Sequence, residues 1–315
     1  MPYPYQIERI NELAAANPKG FAEECEAIFS RKVAEVAATI AERTAGEDRH
    51  IVLLSGPSGS GKTTTAKKIC ESLEELGIKA HSISMDKYYI PLDPQTAPRT
   101  DSGELDRESP YCLDLKLLNE HFHSIERGEE VIVPCFSFRF QQRDPSREMP
   151  LKLGSNEIVI FEGIHALNDI LTDEHPHAFK LYISARADIR QGSSLCFKRT
   201  WTRLLRRVVR DDFFRATGAA ETLKMWANVR DGEKKYISPF KHKATTLFDS
   251  SLEYEVPVMK NFALKALAAI PEGAERWAEL RALLPALEKF GEIDPSCVPP
   301  DSILREFIGG GRFLY

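Results

Sequence analysis

The short apolar run His50-Ile51-Val52-Leu53-Leu54-Ser55 is followed at once by Gly56-Pro57-Ser58-Gly59-Ser60-Gly61-Lys62-Thr63, and no other stretch restricts the fold so tightly. An unbroken apolar run ended by glycine is the pattern of a strand buried on both faces. Residues 62 to 76 read as a helix, with Gly77 placed to close it. The octet fits G-x-x-x-x-G-K-[ST] in the strand–loop–helix context that this pattern requires. Its glycines let successive backbone N–H groups converge on a phosphate, and the helix N-terminus adds its dipole to the same anion. Lys62 is placed to reach the β- and γ-phosphates of a nucleoside triphosphate, and the Thr63 hydroxyl to ligate Mg²⁺. Gly56, Ser58, Gly59, Ser60, Gly61, Lys62, Thr63 and Thr64 are therefore the candidate nucleotide contacts. The loop does not choose between ATP and GTP.

Around this unit the pattern alternates. Strand-like runs recur at residues 80–85, 131–136, 158–161 and 181–184 with helical or loop-rich stretches between them. Such alternation predicts parallel crossover units and an α/β P-loop fold with about five parallel strands in a three-layer sandwich. Before the first strand, residues 5–45 carry apolar positions at helical spacing, broken at Asn17-Pro18-Lys19-Gly20, which predicts two helices. Residues 90–110 hold four prolines and read as one long loop. The pattern turns helical again beyond residue 260, with Pro285 a kink inside the 275–290 segment. The expected division is an N-terminal helical extension over 1–47, a kinase-like domain over 48–260 and a C-terminal helical segment over 261–315 packed on the core.

In an open α/β sheet, ligands sit beyond the C-terminal ends of the strands, so acids there are candidates for chemistry. Asp86 closes the run Ser82-Ile83-Ser84-Met85, and Glu162 closes Glu157-Ile158-Val159-Ile160-Phe161. Asp86 is read as the base for an attacking hydroxyl and Glu162 as the metal-side carboxylate. The plain alternative is an acid that merely caps the next turn. Arg203, Arg206, Arg207 and Arg210 fall at i, i+3, i+4 and i+7, one continuous helix face. Four like charges in a stripe call for an anion, and a triphosphate closed over by a lid helix supplies it. A solvated basic face or a nucleic-acid patch would give the same stripe, since residues 198–215 hold seven basic residues against two acidic ones. No interleaved stacking aromatics accompany it, which favours the lid.

Bulk properties narrow the partner. A net charge of −5 argues against a surface built for nucleic acid or anionic membrane. Six scattered cysteines with no metal-ligand spacing suit a reducing, cytoplasmic compartment. The N-terminus shows no export signal, and no run of eighteen apolar residues occurs. The expected partner is a small molecule, with a homo-oligomer left open.

Together these pieces resemble the phosphoribulokinase/uridine kinase family, most closely its bacterial uridine-kinase-like nucleoside kinases. The matching motifs are GPSGSGKTT at 56–64, SMDKYY at 84–89, GELDRESPYCLD at 103–114, FEGIHALN at 161–168, TRLLRRVVRD at 202–211, GEKKYISPF at 232–240 and SILREFIGG at 302–310. The resemblance implies a nucleoside-monophosphate-kinase-like sheet, ATP with Mg²⁺, and phosphorylation of a primary hydroxyl such as the 5′-OH of uridine or cytidine. It places Asp86 on the family's catalytic acid and Asp106 on an acid that contacts the sugar. Arg203 and Arg206 fall on arginines near substrate and phosphates, with Arg207 and Arg210 beside them. Tyr88, Phe136, Gln141 and Arg143 are the further candidate acceptor contacts. The substrate loop Phe136-Ser137-Phe138-Arg139-Phe140-Gln141-Gln142-Arg143 departs from the family pattern of a tyrosine, an acid and a histidine: Phe136 can stack on a base without a hydroxyl, and Gln141 stands in place of an imidazole. His165 either touches substrate or satisfies a buried hydrogen bond. A pantothenate or sugar-phosphate kinase, and an ATP-binding regulatory or RNA-associated protein, are the rival readings.

Overall fold

The computed structural model describes residues 4–45 and 51–314. Its centre is a five-stranded, all-parallel sheet. The strands are β1 (Ile51–Ser55), β2 (Lys79–Ser84), β3 (Glu157–Glu162), β4 (Phe179–Ser184) and β5 (Thr246–Asp249), in the spatial order β5-β4-β1-β3-β2. The first strand starts at Ile51; His50 and the expected 47/48 domain boundary lie outside the described residues.

Strand periodicity sorts the core into two halves. Val52 and Leu54 face one side of the sheet with Ile158, Ile160, Leu181 and Ile183, whereas Ile51 and Leu53 face the other with Val159 and Phe161. The first face is covered by α1 (Ile7–Ala16), α2 (Pro18–Thr44) and α3 (Lys62–Glu75), and by later helices. The second is covered by α4 (Leu115–Glu126) through Leu118, Phe122 and Ile125. The expected three-layer sandwich is the observed one. One strand differs: the run at 131–136 leaves the main sheet, and Val131–Val133 pairs antiparallel with Met149–Leu151. The fifth parallel strand is β5, whose register on β4 runs from Thr246 opposite Leu181 to Asp249 opposite Ser184.

The two N-terminal helices divide where proline and a cap dictate. Asn17 accepts a hydrogen bond from the Gly20 N–H at 3.0 Å, and Pro18 occupies the first turn of α2, where its missing N–H costs nothing. The rest of the chain supplies α5 (Arg199–Phe214), α6 (Ala219–Gly232), α7 (Glu255–Ala268), α8 (Trp277–Glu288) and the short α9 (Arg305–Ile308). Helix α7 runs across residues 260 and 261, so the expected C-terminal boundary falls inside a helix. Helix α2 and the described C-terminal segment both join the main core. Phe29 of α2 packs edge-on against Phe248 of β5 at 5.3 Å, and buried Glu26 accepts hydrogen bonds from Tyr254 and Ser302.

At the end of β1 the chain passes so close to β4 that a side chain has no room. A Cβ on Gly56 would stand 2.1 Å from the Ile183 carbonyl oxygen, a backbone atom that cannot step aside. We expect Gly56→Ala to destabilise the protein by about 1–3 kcal/mol through overpacking, seen as a lower urea midpoint with an unchanged m-value.

Candidate active site

Helix α3 begins at Lys62 directly after Gly61, whose φ of +79° makes it a left-handed helix entry. Gly59, at φ +74°, is equally committed, and a Cβ there would meet the Arg203 carbonyl at 2.9 Å. Four successive carbonyls of this loop are engaged. Pro57 O accepts from Lys62 Nζ at 3.4 Å, Ser58 O from Arg203 Nη1 at 3.2 Å, Gly59 O from Arg206 Nη1 at 3.1 Å, and Ser60 O from Ser250 Oγ at 2.7 Å. The first-turn N–H groups of α3, including those of Lys62 and Thr63, have no intrahelical acceptor and are left for an anion.

The loop opens onto a cleft of about 880 Å³ at the C-terminal ends of β1, β2 and β3. Ser58, Gly59, Gly61, Lys62 and Thr63 form its floor, with Asp86, Glu162, Arg207 and Arg210 around it. Thr63 Oγ1 donates to Glu162 Oε1 at 3.0 Å. Burial pushes the Glu162 carboxyl up to about 7, against the pull of Lys62 and with the help of nearby Asp86. Lys62 is itself shifted below the usual lysine value by its sunken position, while Glu162, Asp86 and Glu306 draw it back up. A buried carboxylate beside a hydroxyl, and a loop whose glycines a Cβ would fill, fit Mg²⁺ and a triphosphate. Thr63 and Glu162 would hold the metal; the loop amides, Lys62, Arg207 and Arg210 would hold the phosphates.

The arginine stripe divides into two pairs. Arg207 and Arg210 face the cleft; Arg207 donates to Ser58 Oγ at 3.2 Å and Arg210 to Glu306 at 3.2 Å. Arg203 and Arg206 differ from the expectation that they touch the transferred phosphoryl group, because the structure places them behind the loop. Arg203, 3% exposed, pairs with Glu233 at 2.7 Å; Arg206, fully buried, pairs with Glu255 at 2.7 Å and also bonds Ser250 O at 2.8 Å. Thr64 is likewise turned from the cleft and donates to Glu306 at 2.7 Å, and Ser60 is fully buried.

Several expected acceptor contacts also stand elsewhere. Tyr88 is a core residue, its hydroxyl 2.9 Å from His121 Nδ1, and the neighbouring Tyr89 lines the cleft instead. Asp106 is buried and accepts from Tyr236 at 2.7 Å. Arg143 donates to the Tyr89 carbonyl at 2.9 Å and so braces the segment carrying Asp86. Phe136 packs against Tyr89 at a tilt and edge-on against Phe138, and Gln141, at φ +52°, folds back to donate to Phe138 O at 2.6 Å. Neither is a cleft residue. His165 is 2% exposed, and its ring nitrogens have no hydrogen-bond partner among the described residues; burial pushes it down to about 3. Residues missed from the sequence complete the wall: Glu108, Phe138, Arg139, Phe214, Arg215 and Glu306. Glu108 was legible only as part of the 103–114 motif, and Glu306 only as part of the C-terminal one. Burial raises Glu108 to about 7, with Arg207 opposing the shift.

A family model described as the phosphoribulokinase/uridine kinase family matches residues 51–256. The chain belongs to that family. The P-loop and this membership make it a P-loop kinase. It is 29% identical to a uridine kinase of Saccharomyces cerevisiae over 203 residues, 64% of this chain and 37% of the yeast protein, so it spans well under half of that relative. It is 28% identical to a uridine kinase of Halalkalibacterium halodurans over 209 residues, 66% of this chain and 89% of that protein. Among solved structures, a putative fructose transport system kinase from Silicibacter aligns at TM-score 0.49 and 18% identity, covering 65% of this chain and 95% of that one.

Two outcomes follow for this kinase. Arg206→Met strands the buried Glu255 carboxylate and is expected to cost about 3–5 kcal/mol in urea denaturation. Glu162 has a folded value near 7 against 4.5 in the open chain, so the folded state holds its proton more tightly and loses that advantage as pH rises. In EDTA without nucleotide, Glu162→Gln should therefore gain Tm relative to wild type as pH rises from about 4.5 through about 7, by the equivalent of about 3 kcal/mol at most.

Proposed function

We propose that this kinase transfers the γ-phosphoryl group of ATP directly and in line to the 5′-hydroxyl of a nucleoside-like acceptor of the uridine or cytidine kind. The observation that supports this reading is that Asp86 shares one cleft with Lys62, Thr63 and Glu162 and with the aromatic pair Tyr89 and Phe138. Their rings stand edge to face at 5.2 Å, an apolar wall suited to a planar base.

In this reading each group has a task. Asp86, exposed at the mouth of β2, accepts the proton of the attacking hydroxyl. Lys62, Arg207 and Arg210 meet charge developing on the phosphoryl oxygens, aided by Arg215. Thr63 and Glu162 would hold Mg²⁺, which would supply positive charge to offset that of the phosphates. Arg203 and Arg206 hold the loop carbonyls and thereby aim its amides. Glu108 and Arg139 line the same cleft as the acceptor wall, and Arg139 gives a second reading its footing: a cation there suits an acceptor that carries its own phosphate or carboxylate.

Mg²⁺-ATP-dependent ADP release, screened across nucleosides, pantothenate and sugar phosphates, decides between the two acceptors. A nucleoside should give the highest kcat/KM. Asp86→Asn should lower kcat by about 10²–10⁴-fold with the KM for ATP within a few-fold. Turnover preserved in that variant would remove Asp86 from the chemistry.

A further inference from the structure

At the opposite, N-terminal edge of the sheet, two chain segments bring imidazoles and carboxylates together. His123 and Glu126 sit at i and i+3 near the end of α4, on one helix face. Facing them, the turn that leads into β4 carries Glu174, His175 and, two residues on, His177. His123, Glu126, Glu174 and His177 border a surface hollow of about 260 Å³ beside Ile51, the first residue of β1.

The ligand atoms of His123, Glu174 and His175 all lie within 4.8 Å of one another. The two imidazoles are close, with ring centroids 4.5 Å apart, and His123 Nε2 is 3.4 Å from Glu174 Oε2. His175 is 1% exposed. Its Nδ1 is 2.9 Å from Glu126 Oε1, and its Nε2 is buried without a hydrogen-bond partner among the described residues. A buried imidazole whose one nitrogen is oriented by a carboxylate and whose other is unsatisfied is the arrangement of a metal-ligating histidine. Ion pairing alone accounts poorly for the cluster, because exposed pairs such as His123 with Glu174 stabilise little.

We propose that His123, Glu174 and His175 form a site for a divalent transition cation of the zinc class, with Glu126 orienting His175. Two imidazoles and a carboxylate select a borderline-soft ion over Mg²⁺ or Ca²⁺, which take oxygen ligands. The site lies across the sheet from the P-loop, so the metal clips α4 to the entry of β4 and takes no part in phosphoryl transfer.

The test uses the full chain, stripped with EDTA and dialysed, and titrated with Zn²⁺ by calorimetry and with Co²⁺ by its visible ligand-field absorption. One equivalent should bind, and the Tm should rise with added Zn²⁺. His123→Gln combined with Glu174→Gln, the first half-buried and the second exposed, should weaken binding by at least ~100-fold, and Glu126→Gln by about 10- to 100-fold. Far-UV circular dichroism and Mg²⁺-ATP turnover should stay as in wild type. Absence of saturable binding, or an affinity unchanged in the folded double variant, overturns the site; the second result places the ion elsewhere on the chain.

Discussion

Two buried guanidinium groups hold the phosphate loop open. Arg203 and Arg206 donate to the Ser58 and Gly59 carbonyls from outside the cleft, and each is neutralised by a buried carboxylate, Glu233 or Glu255. A loop carbonyl satisfied from behind no longer competes for the loop's own amides, which stay directed at the ligand. The same two pairs fasten α5, the α6 end and the start of α7 to the loop. Site geometry and core packing are thus one set of contacts.

That arrangement explains how one arginine-rich helix does two jobs. At 3.6 residues per turn the four side chains fan over about 100° of helix surface, with Arg206 at one margin and Arg207 at the other. Angle alone does not separate the pairs, because Arg210 projects between Arg206 and Arg203; their partners do, with Arg203 and Arg206 held by buried Glu233 and Glu255 while Arg207 reaches Ser58 Oγ and Arg210 reaches Glu306. Glu306 also accepts from Thr64, so the C-terminal segment completes the cleft wall and locks the first turn of α3. A negative group beside Lys62 and Arg210 keeps mutually repelling cations together until a polyanion arrives.

Much of the layout was legible from residue order. The octet at 56–63 identified the strand–loop–helix unit, and the acids at the ends of β2 and β3 stood where an open sheet gathers ligands; both line the cleft. What failed was assignment of side chains by adjacency. Tyr88 and Tyr89 are neighbours of the same type, yet a tight turn after β2 sends the first into the core beside His121 and Phe161 and the second into the cleft. Gln141 stands in sequence where the family's base-contacting imidazole is expected, and a left-handed backbone turns it back on Phe138. The run at 131–136 carries strand chemistry but pairs outside the main sheet, because apolar alternation reports burial and not the identity of the partner strand.

By itself, the sequence determined the phosphate-binding unit, the alternation that builds a parallel sheet, and the family, because these depend on local geometry: glycine at positive φ, a helix start, a side-chain period. Tertiary structure alone decided which arginines face the cleft, that Glu108 and Glu306 join it from distant segments, and that His123 meets His175 across the far edge. Those outcomes depend on which face of each element the packed core leaves uncovered, and contacts between residues 49 to 242 positions apart have no signature in local spacing.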